Sequence, residues 1–156
     1  MTEPDNKNSF IKYEQIEHLS DVMIKIYGKT MKELFEHAAE GMFSLITNLD
    51  NVQKTVEKKI IINVKGKIEP EDFLIAWLEK LLYLCEVEGI VFSYFNIKKF
   101  NNNGRQNSIS ALVKGEKINI KKHEIIVQIK APTYHNLNIL REHKTGLYIV
   151  EITFDV

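Results

Sequence analysis

The chain has 156 residues, of which 44% are hydrophobic and 27% charged, a balance typical of a globular protein with one core. Basic and acidic residues number 21 each, so the formal net charge is zero. This balance argues against a free-standing nucleic-acid-binding protein, which usually carries a basic excess. No apolar run approaches the ~20 residues that a membrane-spanning helix needs.

The content of cysteine indicates a reducing compartment. Cys85 is the only cysteine, so the chain has neither an internal disulfide nor a cysteine-based zinc site. No apolar segment followed by small residues marks a signal peptide at the N-terminus. We therefore expect a cytoplasmic protein.

The first half of the chain predicts two pairs of a strand and a helix. Residues 1–9 are polar and predict a flexible N-terminal tail, and residues 22–27 alternate as a strand does. Thr30 and Glu33 form a capping box that starts a helix. A β-branched run predicts a strand within 57–67, and Pro70 begins a second helix. The apolar residues of the first helix follow at helical spacing: Met31, Leu34, Phe35, Ala38, Ala39, Met42, Phe43 and Ile46.

From Gly89 onward the pattern changes to a period of two, which predicts strands. They are expected at 90–100, 108–114, 123–131 and 147–156, with turns at 101–104 and Gly115. The range 101–122 could protrude as a hairpin. We therefore predict an α+β fold, with residues 10–156 forming a single domain in which two amphipathic helices pack on a mostly antiparallel sheet.

An acidic cluster precedes the strand at 22–27. Glu17, His18 and Asp21 lie close together there, and alternation places Asp21 on the face opposite the aliphatic row of the strand. Residues of these types could form a metal site, an acid–base site or an ordinary surface. The choice depends on what comes to meet them in the fold.

Lys130 and Asp155 resemble Asp21 in their position, since each lies at a strand end on the parity opposite the aliphatic row. Packing does not explain them. Asp155 precedes the α-carboxylate of Val156, and two anions so close repel each other unless a cation lies nearby. A hard divalent cation takes oxygen ligands, so Asp21 with Asp155 could supply the charge of such a site. A frayed, solvated chain end is the alternative for Asp155.

The residues after the strand at 123–131 form a second candidate. Thr133, Tyr134 and His135 follow Pro132 on a predicted loop. His135 could approach His18 if their strands are neighbours, which would give a transition-metal site of histidine and carboxylate ligands. A turn in which His135 bonds the backbone is the alternative. The sequence contains no glycine-rich phosphate loop, no nucleophile elbow and no zinc-binding helix motif.

Several short motifs follow one another along the chain from Tyr13 to Val156. They are Tyr13-Glu14, Glu17-His18, Asp21, Gly28-Lys29-Thr30, Leu34-Phe35-Glu36, Trp77-Leu78, Leu81-Leu82, Lys130-Ala131, Thr133-Tyr134-His135 and Asp155-Val156. In their order and spacing the chain resembles archease, the family of small proteins that assist the RNA ligase joining tRNA exon halves. It departs from the family pattern at Leu19 and Ser20, where threonine and alanine are more typical.

The resemblance implies an activator without catalytic activity of its own. Archeases promote guanylylation of the GTP- and manganese-dependent tRNA-splicing ligase and so allow repeated turnover. The resemblance implies metal binding by Asp21 and Asp155 with the terminus at Val156, and an important lysine at Lys130. It gives His18 and His135 supporting roles. The ion would be divalent and calcium-like, with manganese an option in the complex, and the link to tRNA would be indirect.

Three other functions stay open on the residues alone. A metal-dependent hydrolase could use the same acidic pair. An RNA-binding module could stack bases on Tyr94 or Tyr148, and a chaperone-like protein could bind nucleic-acid enzymes more broadly. The identity of the ion, the oligomeric state and the ligase-contacting surface also stay open, with 101–122 as one candidate contact.

Overall fold

Two antiparallel sheets and two long helices form the fold in the computed structural model, which describes residues 10–16 and 21–156. The prediction of an α+β fold with two helices is confirmed, although the described strands divide between two sheets. The predicted tail at 1–9 lies outside the described residues. Neither of the described long helices has the length and apolar composition needed to cross a membrane.

The first sheet joins the beginning of the described chain to its end. Its strand order is β1-β2-β8-β6, and β7 also pairs with β8. Their bounds are Tyr13–Ile16 (β1), Val22–Gly28 (β2), Ala131–Pro132 (β6), Leu140–Arg141 (β7) and Tyr148–Asp155 (β8). Strands β2 and β8 pair without interruption from Val22 opposite Phe154 to Gly28 opposite Tyr148.

The second sheet has the order β3-β5-β4, with bounds Val56–Lys65 (β3), Ile90–Asn102 (β4) and Gln106–Lys117 (β5). Strands β4 and β5 form a hairpin that turns at 103–105. The expectation that 101–122 protrudes is wrong for β5, which is the central strand of the sheet. Its residues Ile109, Ala111 and Val113 are buried in the core, and burying them requires the strand to lie against the body of the protein.

Both helices begin where the sequence predicts. Helix α1 (Met31–Ile46) is capped by the Thr30 hydroxyl, which accepts from the Glu33 amide at 3.0 Å. The Glu33 carboxylate in turn accepts from the Lys29 amide at 3.2 Å. Helix α2 (Pro70–Glu88) starts at its proline and ends at Gly89, whose φ of 64° is the left-handed conformation that glycine adopts most readily.

Helix α1 lies between the two sheets and contacts strands of each. At Gly41 the helix approaches β2 so closely that a Cβ would lie 2.9 Å from Ile24 Cδ1. Helix α2 is tied to α1 by the indole of Trp77, which donates to the Phe35 carbonyl at 2.9 Å. Cys85 is buried on α2, and burial raises the pKa of its thiol to about 11, so it is a core residue as predicted.

Residues 123–130 do not form the predicted strand. Their apolar alternation suggests a ladder, but the segment crosses the C-terminal end of α1. There the Ile126 amide donates to the Ile46 carbonyl at 2.8 Å, and the Thr47 hydroxyl donates to the Glu124 carbonyl at 2.7 Å. The Ile126 amide thus donates to a carbonyl that has no partner within the helix, instead of to a neighbouring strand. Ile126 remains 60% exposed.

Gly115 is not a turn residue, because β5 continues through it to Lys117. A Cβ at this position would overlap the carbonyl oxygen of Val91 and lie 2.7 Å from the Cα of Phe92. The pairing of β4 with β5 shifts register next to this contact, between Phe92 and Tyr94. The glycine therefore permits a close approach of two backbones at a β-bulge rather than a chain reversal.

Glu116 connects the end of β5 to the loops around it. Its carboxylate accepts from Lys122 Nζ at 2.9 Å, from His123 Nε2 at 2.8 Å and from the Gln53 amide at 3.2 Å. His123 Nδ1 accepts from the Asn119 amide at 3.0 Å, so the proton that His123 donates is on Nε2. These bonds, and above all the one from Lys122, lower the pKa of Glu116 to about 2.

Replacing Gly115 by alanine is expected to destabilise the protein by about 1–3 kcal/mol, because the new methyl group must displace backbone atoms. The melting temperature should fall by about 2–4 °C per kcal/mol lost. Ser110→Ala, on the half-buried outer face of the same strand, is the control and should change stability by less than about 0.5 kcal/mol. An unchanged melting temperature for Gly115→Ala would contradict the close approach.

Glu116→Gln is expected to lower the melting temperature at neutral pH and to have less effect in acid. The pKa of Glu116 is lower in the folded protein than its ordinary value of 4.5, so its contribution is complete above that pH. The contribution is lost as the pH falls toward about 2. Thermal unfolding at several pH values measures the difference between variant and parent. Glu40→Gln, which removes a carboxylate from a pair with Lys12 at 3.1 Å, is the control.

Candidate functional site

The register of β2 and β8 brings two distant carboxylates to one end of the first sheet. Val22 lies opposite Phe154. Asp21 immediately precedes Val22, and Asp155 immediately follows Phe154, so in antiparallel strands both lie at the same end. The sequence predicted a strand end for each of them, and the structure shows that the two strand ends are neighbours.

The segment that begins at Lys130 is clamped to the same end of β8. The Lys130 amide donates to the Asp155 carbonyl at 2.8 Å, and Ala131 lies opposite Asp155. Two residues after Ala131, Thr133 donates two hydrogen bonds to the Thr153 carbonyl, from its amide at 2.9 Å and from its hydroxyl at 2.8 Å. Three segments of the chain therefore meet there, held by backbone bonds.

A small open cleft of about 240 Å³ lies at this meeting point. Asp155 is exposed, Asp21 is half-buried and Thr153 is buried. The cleft is lined by Asp21, Thr133, His135, Thr153, Phe154 and Asp155. The acidic pair and one of the two predicted histidines thus share a surface.

The loop after β6 presents His135 to the cleft. The His135 amide donates to the Thr133 hydroxyl at 3.4 Å, and the His135 Nε2 atom lies 3.3 Å from Asn136 Nδ2. Asn136 has a φ of 49°, which makes the turn tight. Tyr134 points elsewhere: burial first, and then its hydrogen bond with the Asp72 carboxylate of α2, raise its pKa.

Two predicted residues lie outside the lining of the cleft. Lys130 is held to Asp155 by its backbone, while its side chain is exposed to solvent. Val156 is 42% exposed, beyond the end of β8. His18 and Glu17 lie outside the described residues, so the predicted approach of His18 to His135 stays a prediction.

The donor set of the cleft suits a hard cation. Carboxylate and hydroxyl oxygens from Asp21, Asp155 and Thr133 are the ligand types that calcium and manganese take. Among residues 10–16 and 21–156, no three side chains of His, Cys, Asp or Glu surround a common point. A cation bound by this pair would therefore complete its coordination with carbonyl oxygens, water or groups of another molecule.

Thr133 and Thr153 are the site residues that sequence reasoning missed. The motif Thr133-Tyr134-His135 predicts no role for Thr133, whose hydroxyl donates to the Thr153 carbonyl of β8. Thr153 has the same parity as Asp155 on β8, which was the available signal. Its side chain is 4% exposed, so it forms the floor of the cleft.

The geometry can be compared with known proteins. Residues 13–156 match the model of the family described as the Archease protein family (MTH1598/TM1083). The chain belongs to the archease family. The resemblance inferred from the sequence motifs is thereby confirmed, and the matched range includes both carboxylates of the cleft.

Curated archeases are similar over most of their length. The protein archease of Methanosarcina mazei is 34% identical over 145 residues, which are 93% of this chain and 96% of that protein. The protein archease of Pyrococcus furiosus is 38% identical over 130 residues, 83% of this chain and 89% of that one. The solution structure of Methanobacterium thermoautotrophicum protein 1598 has a TM-score of 0.78 at 28% identity, covering 93% of this chain and 99% of that chain.

Thr133→Ala is expected to lower the free energy of unfolding by about 1 kcal/mol, because it removes the hydroxyl bond to the Thr153 carbonyl. The melting temperature should fall by about 2–4 °C. Thr133→Ser keeps the hydroxyl and is the matched control, which should retain most of the stability. Equal losses for both variants would show that the methyl group, rather than the hydrogen bond, holds the loop.

Proposed function

We propose that this archease activates the tRNA-splicing RNA ligase in the cytoplasm, promoting its guanylylation by GTP and its repeated turnover. Membership of the family supports a role associated with RNA ligation in general, as an accessory protein rather than an enzyme. The observation that carries the finer proposal is the convergence of Asp21 and Asp155 on one open cleft.

In this proposal Asp21 and Asp155 hold a divalent ion. Two carboxylates at neighbouring strand ends repel each other, and a bound cation would convert that repulsion into attraction. The ion would be calcium-like in the isolated protein, and manganese is the candidate in the ligase complex. When bound, it would supply positive charge that stabilises or orients a triphosphate.

The small volume of the cleft favours a site offered to a partner over one that encloses a substrate. Clefts that bury a drug-sized ligand usually measure about 300–1,000 Å³, whereas this one measures about 240 Å³ and is open to solvent. A nucleotide would therefore be enclosed mainly by the ligase. This argument favours the activator over a metal-dependent hydrolase.

The other predicted residues have auxiliary roles in the proposal. Lys130 is anchored by its backbone beside Asp155, and its exposed ammonium would offset phosphate charge when the two proteins meet. His135 would orient groups at the mouth of the cleft, with His18 in a similar supporting role. Val156, just beyond the end of β8, would add a further oxygen ligand.

The test is RNA ligation by the cognate ligase with RNA in large excess, with and without this protein. Asp21→Asn and Asp155→Asn keep the shape of each side chain and remove its charge. Each is expected to reduce the stimulated turnover by about tenfold or more, because the loss of a carboxylate weakens a cation site. Asp50→Asn, at an exposed acidic residue near the end of α1, is the control and should stimulate like the parent.

Calorimetric titration of the isolated protein with calcium and with manganese separates binding from activation. The proposal expects a bound ion in the parent and weaker binding in both asparagine variants. Variants that stimulate the ligase as well as the parent would overturn the proposed site. Stimulation that depends on both carboxylates without any bound ion would overturn the role of the metal.

A further inference from the structure

Strand β3 is an open edge of the second sheet. It pairs with β5 on one side, and no strand within residues 10–16 and 21–156 pairs with its other side. It has 10 residues, whereas strands in globular proteins most often have about 5–6. Its register with β5 runs from Val56 to Lys65 without a bulge. A long and regular edge strand is a template for pairing with another chain.

The backbone bonds show which residues of β3 face this open edge. The Asn107 side chain donates to the carbonyls of Val64 at 3.1 Å and Gly66 at 2.6 Å, and the Gly66 amide donates to the Arg105 carbonyl at 3.1 Å. The even-numbered residues therefore point their backbone groups toward β5. Because these directions alternate along a strand, the odd-numbered residues point theirs outward.

The same odd-numbered residues carry the exposed side chains. They are Glu57, Lys59, Ile61, Asn63 and Lys65. Ile61, in the middle of the strand, is 64% exposed. An acidic residue therefore stands near one end of the open edge and a basic residue at the other, with an aliphatic residue halfway between them.

We propose that β3 pairs with β3 of a second copy of this chain, antiparallel and with the two-fold axis at Ile61. Glu57 then lies opposite Lys65 of the partner subunit, and by symmetry the same pair forms again at the other end. Lys59 lies opposite Asn63 of the partner subunit, and the two Ile61 side chains meet at the axis. The outward N–H and C=O groups of both edges bond to each other.

Charge selects this register over its neighbours. The nearest alternative registers place the axis at Ile62 or at Ile60. An axis at Ile62 places Lys59 directly opposite Lys65 of the partner subunit, which is unfavourable. An axis at Ile60 leaves Lys65 without a strand residue opposite it, so the pairing of Glu57 with Lys65 is lost. On the inner face, the axis at Ile61 places Ile60 opposite Ile62 of the partner subunit, which continues the apolar face of the sheet.

One further charge on β3 is already paired within the chain. Lys58, on the inner face, binds Glu88 at the end of α2 at 3.0 Å. Glu57 has Lys114 of β5 on one side at 3.4 Å and remains largely exposed on the other. The proposed dimer contains one six-stranded sheet, and the cleft at Asp21 and Asp155 belongs to the other sheet of each copy.

The test is sedimentation or light scattering of the full chain over a wide range of concentration. The parent is expected to reach an apparent mass twice that of the 156-residue chain. Glu57→Lys and Lys65→Glu are each expected to weaken dimerisation by about tenfold, because each places like charges opposite one another at two points. The double variant, Glu57→Lys with Lys65→Glu, restores the complementarity and should dimerise like the parent.

Lys67→Glu reverses a charge just outside β3 and is the matched control, which should dimerise like the parent. Ile61→Cys tests the register, because paired residues of this kind have Cα atoms ~5.5 Å apart, a distance that a disulfide spans. Under mild oxidation it should form a covalent dimer, whereas the buried Cys85 of the parent should not.

Three results would overturn the proposal. One is a parent chain that stays monomeric at every concentration. Another is a double variant that fails to recover the dimer lost in the single variants, because the register would then be wrong. The third is dimerisation that begins only when residues 1–9 are deleted, since the edge would then be covered by the chain itself.

Discussion

The antiparallel pairing of β2 with β8 is the constraint on which the fold and the candidate site both depend. It joins residues near the beginning of the chain to residues near its end, so the two central strands of the first sheet come from distant parts of the sequence. Ile24 and Ile152 face each other across this pair and are fully buried. A slip of one residue would turn this apolar row to solvent and would separate the two carboxylates at its end.

Helix α1 transmits this arrangement to the second sheet. It packs on β2 through the small residue Gly41 and contacts β4 on its other side. Phe35 of α1 and Phe100 of β4 stack edge to face with ring centroids 4.9 Å apart. The site and the second sheet therefore belong to one packed structure, although they share no strand.

Periodicity predicts the parts of this fold whose burial is one-sided. The stripe from Met31 to Ile46 predicts α1, and the alternation before Asp155 predicts β8, since each has one face against the core. Residues 123–130 show why the rule fails elsewhere. Their alternation is real, but the bonds that a ladder would make go to the end of α1, and no local pattern reveals that choice. The prediction of a turn at Gly115 fails for the same kind of reason, because the backbone that requires a glycine there belongs to another strand, β4.

The sequence predicts which residues belong to the candidate site better than it predicts how they come together. Parity marked Asp21, Lys130 and Asp155 as residues that packing does not explain. Only the register of β2 with β8 makes Asp21 and Asp155 neighbours, and only the turn after Pro132 directs His135 to the same cleft. Residues 123–130 form no strand, so the parity predicted for Lys130 has no counterpart in the structure. Its side chain lies outside the cleft, and the backbone bond to Asp155 fixes only its main chain.

That backbone bond also couples the order of the sheet end to whatever occupies it. The Lys130 amide is bonded to the Asp155 carbonyl, so its hydrogen exchanges with solvent only when the end of β8 opens. A ligand that needs Asp21 and Asp155 side by side binds the closed form alone. Its binding must therefore slow the exchange of this single amide by the same factor by which the ligand disfavours opening. The exchange rate of the Lys130 amide therefore reports whether a ligand is bound at the acidic pair, whatever the partner does.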